Sequence, residues 1–193
     1  MNMSFFIYRN HTIEHLFSNF KASYSGYGDI ATAPDQNDTL VWFYELSYSL
    51  SSKGRLDELM DIRKKVEMLF GQGVNGRQVL LFIPSAGYCN KEILVNHNTE
   101  VLLLELSKYM YSLSEKYLNI KVLDLSDFTK NYSLNELLDW KFYYLSDMIL
   151  NPKLTRDFQQ WLTRNLDVIK GIRKKCLVLD CDNTLWGGVV GED

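Results

Sequence analysis

Two carboxylates stand one residue apart in Asp180-Cys181-Asp182-Asn183-Thr184, which Leu185-Trp186-Gly187-Gly188 follows. The apolar run 176–179 before them reads as a short buried strand. Side chains alternate along a strand, so with extension continued through the motif Asp180 and Asp182 face one way and Cys181 the other. Carboxylates held this close repel unless a cation or a shared proton relieves them. Mg²⁺ suits such a pair, because it prefers hard oxygen donors and takes one or two carboxylates with waters and substrate phosphate. One carboxylate can then attack phosphorus to form an aspartyl-phosphate, while the other serves as general acid and base. A bare Asp-x-Asp would read as a strand end running into an Asx turn. Here the apolar run, the Thr two positions on, and the glycine-rich exit make a longer pattern.

Asp180-x-Asp182-x-Thr184 resembles the first motif of the haloacid dehalogenase (HAD) phosphatase superfamily. With Thr184-Leu185-Trp186-Gly187-Gly188 and Val190-Gly191-Glu192-Asp193, the stretch 177–193 is similar to the FkbH-like branch. The resemblance implies that Asp180 is the nucleophile and Asp182 the general acid/base. It also implies Mg²⁺ held by Asp180 and the main-chain carbonyl at Asp182, with Thr184 ordering the turn and meeting phosphate. FkbH-like proteins take a glyceryl unit from bisphosphoglycerate, lose phosphate, and load an acyl-carrier protein. A phosphorylated glycerate-type substrate and an acyl-carrier partner are therefore expected. The superfamily's later Ser/Thr, Lys and second acidic pair have no counterpart before Asp193. Phosphoryl transfer depends mainly on positioning and charge neutralisation. The expectation is thus a front part, or a truncated product, of a longer protein, with negligible phosphatase activity alone. The same logic expects residues 175–193 to be disordered, or to pair with another copy, because an orphan strand exposes unpaired backbone groups.

Composition narrows the remaining classes. The 193 residues suit one substantial domain, and 46% hydrophobic with 13% aromatic content allows a packed core. A net charge of −3 gives no electrostatic support for nucleic-acid binding. No run approaches membrane-spanning length, and the opening residues lack the apolar core of a signal peptide. Cys89, Cys176 and Cys181 show neither zinc spacing nor a paired framework, which suits a reducing cytoplasm.

The elements ahead of the carboxylate pair alternate. Residues 4–8 read as a strand, 12–20 as a helix, 28–33 as a weak strand, and 40–44 as a strong one. A helix follows over 55–70, with Asp61 and Lys65 as an i,i+4 pair and Gly71 as its stop. Residues 79–83 form a continuous apolar strand ended by Pro84. The next helix is capped by Asn98 or Thr99 and marked by Leu102, Leu106, Tyr109, Leu113 and Tyr117, its tyrosines at the core edge. A strand over 120–125 and a helix over 154–169 complete the series, before a linker at 170–174. This predicts an α/β fold, a three-layer parallel sheet of flavodoxin-like order, over residues 1–170. Residues 171–193 are assigned to the linker and the first strand of a HAD-like domain.

In a flavodoxin-like order the ligand crevice opens between the first and third strands. Arg9, Asn10 and His11 leave one of them and Glu45 the other, so these residues line the candidate binding site. The first domain also resembles the SGNH-hydrolase fold, and Arg9-Asn10-His11-Thr12-Ile13-Glu14 stands where such hydrolases carry Gly-Asp-Ser. Asp147-Met148-Ile149-Leu150 resembles their late Asp-x-x-His block, with Leu150 in place of the histidine. At these positions the nucleophile and base of a serine esterase are missing. His11 and His15 lie one helical turn apart and read as a surface pair, for want of a third ligand. Ser85 reads as a loop residue, and the runs 63–65 and 173–175 as solvated basic surface, the second placed to help an anionic substrate beside Asp180. Three functions compete: a HAD-type phosphoryl site, a binding module that docks a carrier or a catalytic domain, and an SGNH-type esterase.

Overall fold

Alternation within single strands builds two cores. The computed structural model describes residues 3–32, 34–35, 38–47, 52–74, 76–85 and 97–171. It runs β1 (Ser4–Arg9), a 3-10 helix (Glu14–Phe17), β2 (Lys21–Tyr27), β3 (Thr39–Phe43), α1 (Ser52–Phe70), β4 (Val79–Ile83), α2 (His97–Lys116) and β5 (Ile120–Asp124). Short helices α3 (Ser126–Thr129), α4 (Leu134–Leu137) and α5 (Trp140–Ser146) follow, then a 3-10 turn (Pro152–Leu154) and α6 (Thr155–Ile169).

Phe5 and Ile7 of β1 enter one core while Phe6 and Tyr8 enter the other. β3 divides likewise, Val41 and Phe43 against Leu40 and Trp42, and β4 sends Leu80 and Phe82 one way and Val79 and Leu81 the other. A strand apolar at nearly every position is one covered on both faces. The first core is closed by Leu16 and Phe17 of the 3-10 helix and by Phe158, Leu162 and Leu166 of α6. The second is closed by Ile62, Val66 and Phe70 of α1 with Leu106, Met110 and Leu113 of α2.

All four pairings are parallel, and the strand order is β2-β1-β3-β4-β5. The chain leaves β1 to one side to form β2, then crosses to the other side for β3. That reversal opens a crevice at the carboxyl ends of β1 and β3. The expected α/β class, parallel sheet and flavodoxin-like order are all present. So are the Asp61–Lys65 pair, at 2.7 Å, and the core-edge positions of Tyr109 and Tyr117.

Two elements differ from expectation. The second strand lies at Lys21–Tyr27, not at 28–33, and the expected helix over 12–20 is one 3-10 turn. β2 is an edge strand whose residues are mostly exposed, so it carries no apolar run to mark it. The short helices α3, α4 and α5 fall where no helix was expected; four to seven residues are too few to show a helical period. Residues 172–193, with Asp180, Asp182, Thr184, Cys176 and Cys181, lie outside the described residues, as does Cys89.

Candidate functional site

Each residue leaving β1 has a different use. Arg9 turns towards the edge strand. Its guanidinium lies 2.5 Å from Glu14 Oε1, donates through Nε to the Ser25 carbonyl at 3.3 Å, and covers the rings of Tyr24 and Tyr27. Partial burial pushes the Glu14 carboxyl up, but backbone N–H groups and Arg9 outweigh it and hold the group below its usual range. Asn10 turns to β3. Its Nδ2 donates to the Glu45 carbonyl at 2.7 Å and its Oδ1 accepts from the Glu45 N–H at 3.0 Å. The side-chain amide thus continues the β1–β3 ladder one step past the last paired residues, Arg9 and Phe43.

Glu45 closes the floor of the crevice. Its residue is wholly buried, and its carboxyl accepts from the Leu46 N–H at 3.0 Å and from the Ser85 N–H at 3.0 and 2.9 Å. This ties the exit of β3 to the exit of β4. Burial drives the Glu45 carboxyl well above the usual range, against the lowering by those N–H groups, and Glu58 and Asp124 add to the rise. Ser85, the expected loop residue, is buried and shares a 2.6 Å hydroxyl contact with Thr129.

His11 faces into the crevice. The residue is 4% exposed, so the expectation of a surface pair with His15 does not hold. The loop after β1 packs under the segment that follows α5, and that covers the ring. Nδ1 lies 3.0 Å from Asp147 Oδ1, and Nε2 lies 3.4 Å from the Ser47 hydroxyl. Ser47 in turn gives its N–H and its O–H to the two oxygens of Glu58, each at 2.9 Å. Asp147 caps α5 in the left-handed conformation, at φ 53°, and its carbonyl accepts from the Thr12 N–H at 3.1 Å. Among the described residues it is the one non-glycine with a positive φ. A single parallel bridge joins Thr12 to Met148 beside it. His15 points elsewhere, with Nε2 3.2 Å from the Leu150 carbonyl. Burial lowers its pKa, opposed by that carbonyl.

The crevice therefore unites His11 with Asp147, Ser47 and Glu58, while Arg9 and Asn10 are engaged in holding strands. Sequence reasoning marked Asp147 only as part of a block that lacks its histidine; a histidine reaches it from the other end of the chain. Ser47 and Glu58 carried no signal, being ordinary polar residues that only tertiary closure brings to His11. A groove of about 590 Å³ runs along α6, lined by Asn19, Phe20, Arg156, Gln159, Gln160 and Arg164. It holds no linked acid, base and nucleophile, so the switch-point crevice is the better candidate site. Among the described residues no group of three or more His, Cys, Asp or Glu is placed to hold a metal ion. No described helix is long and apolar enough to cross a membrane.

No protein-family model matches the sequence, and no curated protein matches it. Among solved structures, the chain is similar to the N-terminal part of the protein BF1531 from Bacteroides fragilis, which contains a phosphatase domain and is complexed with Mg. The TM-score is 0.67 at 22% identity, over 99% of this chain and 58% of that one. What this likeness establishes is the α/β fold, shared across a chain that spans little more than half of its counterpart.

Proposed function

We propose that this chain serves a Mg²⁺-dependent phosphoryl-transfer protein in which Asp180 is the nucleophile and Asp182 the general acid and base. One observation carries the reading. The pattern Asp180-x-Asp182-x-Thr184 follows an apolar run, in a chain whose fold is that of the N-terminal part of a protein with a phosphatase domain, solved with Mg. In the proposed step an Asp180 oxygen attacks phosphorus as the bond to the leaving oxygen breaks, and Asp182 protonates that oxygen. Asp182 then takes a proton from water as the water attacks the aspartyl-phosphate, which releases phosphate and restores Asp180. The donor set fits Mg²⁺, since carboxylate and carbonyl oxygens are the hard ligands it prefers. When bound, the ion neutralises charge on the carboxylates and on the phosphoryl group. Thr184 orders the turn, and the basic run 173–175 adds attraction for an anion.

The finer assignment follows the FkbH-like resemblance: a phosphorylated glycerate-type substrate and transfer of the glyceryl unit to an acyl-carrier protein. A second reading makes the α/β unit a binding module that docks the carrier or a catalytic domain. It is favoured by the internal engagement of Arg9 and Asn10, whose polar groups hold strands together. Phosphate release from a phosphomonoester, measured with and without Mg²⁺ on the full-length protein, any sequence past residue 193 included, and on its Asp180→Asn variant, separates the two. Magnesium-dependent release that falls by orders of magnitude in the variant is the expected result. Equal rates in the two proteins would exclude Asp180 as nucleophile.

A further inference from the structure

The geometry points to Ser47, His11 and Asp147 as an acyl-transfer relay, with Ser47 Oγ the nucleophile towards a carboxylic ester or thioester held at the switch-point crevice. This inference rests on the crevice alone and is independent of Asp180. The connectivity is that of a carboxylate, an imidazole and a hydroxyl in series. Asp147 Oδ1 stands 3.0 Å from Nδ1, and Nε2 stands 3.4 Å from Ser47 Oγ. A carboxylate only accepts, so Nδ1 carries a hydrogen and Nε2 of the neutral ring presents its lone pair to the hydroxyl. The imidazole is 5% exposed as a side chain while Asp147 is 50% exposed and Ser47 half-buried. The base is shielded between two residues that are each partly exposed.

Glu58 sets the resting state. It accepts the Ser47 N–H and O–H at 2.9 Å each, closer than His11 stands. Two acceptors therefore compete for one hydroxyl hydrogen. Moving that hydrogen from Glu58 to His11 needs only rotation about the Cβ–Oγ bond, with the heavy atoms in place. Apo sites commonly show such long nucleophile–base contacts, which tighten once substrate is bound.

The step balances without a further reagent besides water. Ser47 Oγ forms a bond to the acyl carbon and its proton passes to His11 Nε2. The bond from that carbon to the alkoxide or thiolate then breaks, and the leaving group takes the proton from Nε2. Water repeats the sequence on the acyl-serine, giving a proton to Nε2 that returns to Ser47 Oγ, and a carboxylic acid departs. Asp147 holds the ring and stabilises the imidazolium without itself being protonated.

The test is covalent labelling of the native protein with a fluorophosphonate probe, located by peptide mass spectrometry, with circular dichroism confirming the fold of every variant. The expected adduct sits on Ser47, is absent in Ser47→Ala, and forms about 10²–10⁴-fold more slowly in His11→Gln. Glu58→Gln is the discriminating variant. Its amide donates to Ser47 Oγ while its carbonyl can still take the Ser47 N–H, so the hydroxyl hydrogen is left to His11. Labelling at least as fast as in the native protein is expected there. A purely structural clamp predicts that Glu58→Gln weakens the crevice as His11→Gln does. No adduct on Ser47 in folded protein, a rate indifferent to His11→Gln, or Glu58→Gln slowed like His11→Gln would each overturn the proposal. Asp180→Asn should label as the native protein does, so failure here leaves the phosphoryl-transfer reading standing.

Discussion

Asn10 engages one backbone unit with both ends of its amide, and that unit is buried. Asn10→Ala would leave the Glu45 N–H and carbonyl without these partners, at a cost of about 1–3 kcal/mol for each orphaned group. Chemical denaturation should show a lower midpoint with little change in slope; an unchanged midpoint would mean that water replaces the amide. Glu45 beside it gives a pH signature. Burial raises its pKa, so the folded protein keeps a proton that the unfolded chain has already lost. That contribution to stability is whole below the ordinary carboxyl value and declines as pH rises through the raised one. Glu45→Gln removes the titration, so the native protein's Tm advantage over the variant should shrink as pH rises above the ordinary carboxyl range. A constant difference would show that the Glu45 carboxyl is not perturbed. These residues were legible in part. Strand order alone marked Arg9, Asn10, His11 and Glu45 as crevice residues. It did not say that Asn10 would extend a ladder, because side-chain direction is decided by packing that no periodicity encodes.

Strands declared themselves according to how deeply they are buried. β1, β3 and β4 stand inside the sheet with both faces covered, so their continuous apolar runs were visible in the sequence. β2 runs along an edge with Lys21, Ser23 and Tyr27 among its members, and it was placed several residues too late. The helix expected over 154–169 stands at Thr155–Ile169 as α6, and its Phe158 is the hub of the first core. Its ring meets Phe17 at 5.7 Å, Phe43 at 6.1 Å, Phe82 at 6.4 Å and Phe128 at 5.5 Å between centroids. Phe158→Ala removes an anchor shared by the 3-10 helix, β3, β4 and α3, and should cost about 3–5 kcal/mol. Thermal unfolding would measure it; a loss under about 1 kcal/mol would mean that Trp161 refills the space.

Taken whole, the two proposed pieces of chemistry differ in how openly the sequence displays them. The Asp180 motif is short and local, so it is readable in one line of sequence. The His11 crevice is assembled from residues 11, 47, 58 and 147, so it exists only once the sheet has closed. The central claim concerns the first, and it is tested most directly by looking for the phosphorylated aspartate itself. The full-length protein and its Asp182→Asn variant would be mixed with Mg²⁺ and an aryl phosphate, whose phenolate leaves without needing a proton, then quenched in acid, and the peptide carrying Asp180 weighed. The account predicts one added phosphoryl group on Asp180, accumulating in Asp182→Asn because the water-activating base is gone. Phosphate release with no phosphoryl adduct on Asp180 in either protein would contradict it.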